Sequence, residues 1–490
     1  MLNYDMSARG TLPRYEYLYR CVRNDVLSGE LAAGDRLPSK RALASQLGVA
    51  LVTVENAYAQ LEAEGYVTAR PRSGYYVNAL PQLAVTHSSK GASNVPAGGA
   101  PEPPLLADFS RPATRADSSA ANLWERALRQ TLAQEPRETL FAAQPAQGTE
   151  RLRAAIASYL RRVRGVEVNP SNVVVGAGAQ VVYMMVARLL GAGTRVAVED
   201  PGYSRVWQTY DACDLPVSFV PADEEGMRVD LLAATDASVA HVMPSHQFPT
   251  GRVTSVARRF ELLSWAASGE RRIVEDDYDC EFRMAGRPVP PLLASDTAGR
   301  VLYVNTFSKS LSSALRLAYL VLPDDLMPVW RERLGWLACT VSVVDQVALA
   351  RLLESGDYDR HVSRYRTQQR RLRDQLLGAI RASRLGVRAS FEEADSGLHF
   401  VLSLDVADIC ATTNAPQVRG IEQDIARATL ARGVRLAPLS DYAHDDHNAT
   451  RPDGCARFVM QYDGLDSAAI PQVVVALEAA SKVRKSPGVR

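Results

Sequence analysis

Five short apolar runs recur between residues 173 and 304, and each is closed by a polar or glycine-rich turn. They are Val173-Val174-Val175, Arg195-Val196-Ala197-Val198, Ala240-His241-Val242-Met243, Arg272-Ile273-Val274 and Val301-Leu302-Tyr303-Val304. Amphipathic stretches such as 180–190 and 256–267 lie between them. Strands alternating with helices predict an α/β body: a largely parallel sheet covered by helices. Ligands in such sheets sit beyond the carboxyl ends of the strands, so the residues after each run are the first candidates for chemistry.

The chain around this body is long enough, at 490 residues, for about three domains. Its 47% hydrophobic and 23% charged content describes a globular protein with ample core, and a net charge of +1 gives no global sign of a polyanionic partner. Asp5, Arg9, Arg14 and Glu16 interrupt any secretory hydrophobic segment at the N-terminus. No apolar run approaches the roughly 18 residues of a membrane span. The cysteines (Cys21, Cys213, Cys280, Cys339, Cys410 and Cys455) show no CxxC or Cys/His spacing. That fits reduced thiols in a cytoplasmic protein, with neither a disulfide framework nor a metal site.

The first eighty residues read differently. Leu18, Cys21, Val22 and Val26 repeat at helical spacing, and Gly29 and Gly34 end that helix. Ser39 is placed to cap a second helix holding Leu43, Ala44 and Leu47. After the turn at Gly48, a third helix carries Val54, Ala57, Tyr58 and Leu61 as its buried stripe. Two extended pieces, Tyr66-Val67-Thr68 and Tyr75-Tyr76-Val77, flank the basic tip Arg70-Pro71-Arg72-Ser73-Gly74. Helix-turn-helix followed by strand, tip and strand is a winged helix. Thr53 and Asn56 on the third helix suit base edges, and Ser39, Lys40, Arg41, Tyr58, Arg70 and Arg72 suit phosphates. Nine Lys/Arg against eight Asp/Glu in residues 1–80 leave the module nearly neutral, so a protein-interaction role stays open on pattern alone.

Between about 81 and 107 both periodicities vanish in a Ser/Gly/Ala/Pro-rich stretch, which reads as a flexible linker. The expected domains are therefore 1–80, a linker 81–107 and a body 108–485. The body divides into a large part to about 335 and a smaller α+β part from 336. The basic-faced stretch 361–373 reads as a solvated helix face, and 482–490 as a frayed tail.

The strand ends of the body carry unusual residues. Gly176-Ala177-Gly178-Ala179-Gln180 opens a helix, where backbone N–H groups can cradle an anion. Glu199-Asp200-Pro201-Gly202-Tyr203 presents an aromatic ring, and Glu275-Asp276-Asp277-Tyr278 presents carboxylates and a phenol. Thr306, Ser308 and Lys309 follow the fifth run, with Arg316 seven residues beyond the lysine. Singly, each is commonly a solvated turn. Together they supply an amine, a carboxylate, a phenol and an anion cradle, the set that pyridoxal 5'-phosphate (PLP) requires.

Both halves also resemble known families. Leu37-Pro38-Ser39-Lys40-Arg41-Ala42-Leu43-Ala44, Leu61-Glu62-Ala63-Glu64-Gly65-Tyr66 and Gly74-Tyr75-Tyr76-Val77 resemble the winged helix of GntR-type regulators. Asp200-Pro201-Gly202-Tyr203, Pro244-Ser245-His246-Gln247-Phe248-Pro249-Thr250-Gly251, Glu275-Asp276-Asp277-Tyr278-Asp279 and Thr306-Phe307-Ser308-Lys309-Ser310-Leu311 resemble a fold-type I aminotransferase body. The fusion resembles the MocR/GabR subfamily. The resemblance implies that Lys309 forms the Schiff base, Asp276 pairs with the pyridine nitrogen, Tyr278 meets the phenolic oxygen and Tyr203 stacks on the ring. Gly178, Ala179, Gln180, Thr306, Ser308 and Arg316 would surround the phosphate, with His246 near the cofactor.

The same resemblance implies a homodimer with swapped DNA-binding heads, operator DNA as partner, and PLP or a PLP–amino compound adduct as effector. Arg205 and, second, Arg457 are the candidates for an effector carboxylate. Two departures matter. Phe248 stands where aminotransferases usually carry asparagine, which weakens the case for turnover without removing the alternative of a working aminotransferase with an accessory head. Ala50-Leu51 replaces the Ser-Arg that commonly begins the family's recognition helix.

Overall fold

The structure, a computed structural model, describes residues 2, 4–80, 105–111, 118–284, 286, 289–406, 415–444 and 454–481. Most of the expected linker, the expected tail and Cys410 lie outside the described residues. The chain divides into two compact units, residues 1–100 and 101–490.

In the first unit, helices α1 (Arg14–Ser28), α2 (Lys40–Leu47) and α3 (Leu51–Ala63) precede strands β1 (Val67–Arg70) and β2 (Gly74–Val77). The Ser39 hydroxyl accepts a hydrogen bond from Ala42 N at 3.2 Å, satisfying one of the orphan donors at the start of α2. Gly48 ends that helix with φ +62°, a left-handed cap that breaks the chain before α3 begins. Leu18, Val22, Leu43, Val54, Ala57, Leu61 and Val67 close the core. The two strands pair antiparallel, Val67 opposite Val77, and project the basic tip between them.

Tyr58 needs a correction. It is fully buried, and its hydroxyl donates to the carbonyl of Pro38 at 3.0 Å. The helical stripe claims this side chain, so it cannot reach a phosphate; it fastens α3 to the entry of α2.

The second unit opens with β3 (Ala107–Asp108) and contains the main sheet. Its strands are β4 (Val173–Gly176), β5 (Val196–Asp200), β6 (Val217–Asp223), β7 (Gly226–Met227), β8 (Val239–Val242), β9 (Arg272–Asp276), β10 (Val301–Thr306) and β11 (Ala318–Val321). Their order is β4-β11-β10-β9-β8-β5-β6-β7. The pairs β10–β9, β9–β8, β8–β5 and β5–β6 are parallel, whereas β11 runs against both its neighbours. Both faces are covered. Val173, Val175, Tyr303 and Tyr319 enter one core and Val174, Leu302 and Leu320 the other, which is why the five runs show no polar alternation.

A 26-residue helix, Asp357–Ala382, leads to the smaller sheet. Here β12 (Ala389–Glu392), β13 (His399–Asp405), β15 (Ala437–Pro438) and β16 (Cys455–Gln461) pair antiparallel in the order β12-β13-β16-β15. The short strand β14 (Val434–Arg435) pairs in parallel with β3, tying the start of the unit to its last third. Among the described residues, no helix is long and apolar enough to cross a membrane.

Candidate functional site

A cavity of about 760 Å³ opens at the carboxyl ends of β9 and β10 and reaches the start of the helix Ala179–Leu190. Ala179, Gln180, Tyr203, Arg205, Phe248, Asp276, Tyr278, Thr306, Ser308, Lys309 and Arg316 all line it, although they span more than 130 residues of sequence. The parallel strands bring them together, because every one of these turns leaves the sheet on the same edge.

Lys309 lies three residues beyond β10 with its side chain largely buried, and its Nζ is 3.9 Å from the Asp463 carboxylate. Asp276, the last residue of β9, is 2% exposed. The Tyr183 hydroxyl donates to its Oδ2. Its Oδ1 is buried and has no hydrogen-bond partner among the described residues. A buried carboxylate oxygen left unsatisfied is costly unless a donor or cation reaches it. Burial, reinforced by the Asp276 charge, pushes the Tyr183 phenol well above its ordinary pKa and keeps it a donor.

The anion cradle is assembled at the helix start. Gly178 has φ +87°, and a Cβ placed there would lie 2.4 Å from Arg316 Nη2, so only glycine lets the guanidinium pack over this turn. Arg316 itself holds a left-handed φ of +51°. No side chain caps the helix at Gly178, which leaves its first N–H groups for another acceptor. The hydroxyls of Thr306 and Ser308 lie 2.8 Å apart beside it.

His246 stands behind the wall. Its Nδ1 is 2.7 Å from Asp279 Oδ2 and 3.2 Å from the Tyr278 hydroxyl, and its ring lies 4.3 Å from that of His399. Gly397 must be glycine, since a Cβ would approach His246 Cε1 to 1.8 Å. Burial and the Asp279 charge push the Tyr278 phenol well up, so it too faces the cavity as a protonated donor. Phe248 packs edge-on against Tyr203, Tyr442 and His399, with ring centres 5.4, 5.2 and 5.1 Å away. An aromatic cluster thus occupies the position where an amide would offer a hydrogen bond.

The two carboxylate candidates separate. Arg205 is exposed and lines the cavity. Arg457 is 3% exposed on β16, and its Nε pairs with Glu392 at 3.0 Å. It shares a strand face with the cavity-lining Gln461 but is not itself on the wall among the described residues.

Sequence reasoning missed Tyr183, Asp463, His399 and the buried pair Arg164–Asp277. That pair meets at 2.7 Å with both side chains at most 1% exposed, and the Tyr303 hydroxyl also donates to Asp277 at 2.7 Å. It secures the residue between Asp276 and Tyr278. Arg164 carried no local signal, because nothing sets it apart from the neighbouring Arg161 and Arg162.

In the first unit, Asn56 and Arg41 are exposed and Thr53 is half-buried. Lys40 Nζ lies 5.2 Å from the centre of the Tyr75 ring and the Arg70 guanidinium 4.4 Å from that of Tyr76. These stacks hold two cations on the wing side of the module. Arg72, exposed at the tip, has φ +59°.

The gntR family of bacterial regulatory proteins matches residues 14–77, and the aminotransferase class I and II family matches residues 116–432. The HTH-type pyridoxine biosynthesis transcriptional regulator PdxR of Corynebacterium glutamicum is 33% identical, over 86% of this chain and 87% of its own. The probable rhizopine catabolism regulatory protein MocR of Rhizobium meliloti is 31% identical, over 88% of this chain and 87% of its own. The fold of the second unit is that of Pyrococcus horikoshii kynurenine aminotransferase. That match has a TM-score of 0.64 at 20% identity and covers 78% of this chain and 91% of that one.

Proposed function

The chain belongs to the MocR/GabR subfamily of GntR-type transcription regulators, and on that footing we propose that its body binds PLP and senses an amino compound through it. The observation that carries this reading is the meeting, in one cavity, of Lys309, the unsatisfied Asp276 Oδ1 and the Gly178–Arg316 cradle. These three satisfy three different ends of the cofactor, and none of them is accounted for by packing alone.

When bound, PLP supplies an aldehyde that an amine can capture and a ring that withdraws electrons. Lys309 Nζ presents that amine, and Asp463 holds it near the cavity by charge. Asp276 Oδ1 would accept from a protonated ring nitrogen, while Tyr183 donates to the other oxygen and fixes the carboxylate. Tyr278 would donate toward the phenolic oxygen, and Tyr203 would cover the ring. The N–H groups of Ala179 and Gln180, the hydroxyls of Thr306 and Ser308, and Arg316 would hold the phosphate. Arg205 is the cavity's free-standing choice for an effector carboxylate. The effector is PLP itself or an amino compound joined to it, which accords with the role named for PdxR.

Signalling follows if the loaded and unloaded bodies favour different arrangements of the two heads of a cytoplasmic homodimer with swapped heads. The ligand shifts that equilibrium only by its difference in affinity for the two states. Phe248, set in its aromatic cluster, offers no hydrogen bond to the phenolic oxygen, and this supports sensing over turnover. Absorbance after incubation with PLP tests the reading. The wild type is expected to gain a visible band that survives gel filtration and that Lys309→Ala lacks. Identical spectra for the two proteins would overturn it.

A further inference from the structure

The helix α3 opens on Leu51-Val52, and Leu51 stands where the resemblance leads one to expect an arginine. Leu51 is 39% exposed and Val52 58% exposed, large apolar groups on the helix that a winged helix presents to the major groove. Val54, Ala57, Tyr58 and Leu61 face the core. The opposite row is Val52, Asn56 and Ala59, spaced four and three residues apart and all exposed. Leu51 and the half-buried Glu55 flank this row on one side and Thr53 on the other.

The composition of this helix is equally restrictive. No lysine or arginine occurs anywhere between Arg41 and Arg70. The commonest reader of guanine, a bidentate Arg or Lys on O6 and N7, is therefore missing from the whole recognition helix. What the outward row does offer is an amide, which matches the N6/N7 edge of adenine, and apolar groups, which match the C5-methyl of thymine. The cations that can hold phosphate lie outside α3, at Lys40 and Arg41 and on the wing at Arg70 and Arg72. Grip and reading are thus assigned to different elements.

We propose that α3 reads A·T pairs, with Asn56 on an adenine edge and Val52 and Leu51 against thymine methyl groups. This rests on the reading of the first unit as the DNA-binding head. The methyl contact makes a demand that few other contacts make. Replacing thymine by uracil removes one methyl group and leaves base pairing and phosphates in place.

The test uses the full chain and the duplex it selects from a random-sequence pool. Uracil is then substituted for thymine one position at a time, and binding is measured for the wild type, Val52→Ala and Leu51→Ala. At one or two positions per half-site the wild type is expected to bind the uracil duplex about fourfold more weakly, the worth of one buried methyl. Val52→Ala or Leu51→Ala should bring that ratio to one at its own position while the other position keeps it. Equal affinity of the wild type for thymine and uracil duplexes at every position would overturn the proposal. So would uracil effects that neither substitution removes. Selection of no duplex at all would instead overturn the assignment of the head to DNA. Both substituted residues are exposed and outside the core, so loss of folding does not obscure the result.

Discussion

The cavity of the body and the outward face of the head are both built to meet a partner, but by opposite physical means. The cavity and the wall behind it hold polar and charged groups away from water, most of them fixed by a named partner. Arg164 pairs with Asp277, Tyr183 donates to Asp276, and Lys309 lies by Asp463. The head leaves Arg41, Asn56 and Arg72 in solvent. A site that must orient a small molecule gains from rigid, desolvated contacts, because the geometry is fixed before the ligand arrives. A surface that must settle onto a polyanion gains from solvent-facing cations, which release the counterions condensed on the polyanion when they replace them. Near-neutrality of the head is compatible with this, since four of its nine cations, Lys40, Arg41, Arg70 and Arg72, sit at the start of α2 and on the wing and none lies along α3.

Two arginines put that contrast to the sharpest trial. Arg164→Ala leaves Asp277 buried without its cation, and a broken buried pair of this kind costs roughly 3–5 kcal/mol of stability. Chemical denaturation of the body should show that loss. Arg41→Ala, on an exposed residue, should leave stability within about 0.5 kcal/mol of the wild type. Its effect belongs to DNA: binding weakens, and the slope of log affinity against log salt falls by about one. If the two variants behave alike, the distinction between a preorganised body and a solvated head fails.

Between these extremes lies a pH effect confined to the body. Glu199, at the end of β5, is buried, with one carboxylate oxygen accepting from Met243 N at 3.0 Å. Desolvation pushes its pKa up to about 8, with a further upward push from the Asp276 charge. The folded state therefore holds a proton that the unfolded state has released above the ordinary glutamate value. Stability from this group is present below that value and is lost as pH rises toward and through 8. Glu199→Gln keeps the neutral shape and removes the proton linkage. The melting temperature of the wild type should fall more steeply than that of the variant between pH 6 and 8.5. Parallel melting curves would show that Glu199 does not carry the effect.

Much of this was legible in the sequence for a physical reason. A parallel sheet needs uninterrupted apolar strands, and its ligand residues follow them directly, so Asp276, Lys309 and Gly178 stand where the periodicity stops. β6 and β11 were harder to see. The run 217–223 mixes Ser218 and Pro221 into its strand, and Ala318–Val321 follows closely on the lysine turn. Contacts made across the fold left no local trace. Tyr183 reads as one more residue of a helical stripe, and its target Asp276 lies 93 residues away. His361 sits in a stretch whose basic residues suggest a solvated face, yet it is 1% exposed with Nε2 at 2.7 Å from the carbonyl of Ser310. Tyr58 carried two readings at once, core stripe and phosphate ligand, and packing decided for the first.

What joins the two regions is the dependence of one on the other. Operator affinity should be measured for the full chain with and without saturating PLP, in the wild type and in Lys309→Ala. Saturating PLP is expected to change the wild type's affinity for DNA several-fold and to leave that of Lys309→Ala unmoved. An equal response of both proteins, or no response in the wild type, would contradict the reading of Lys309 as the contact through which this regulator senses its ligand.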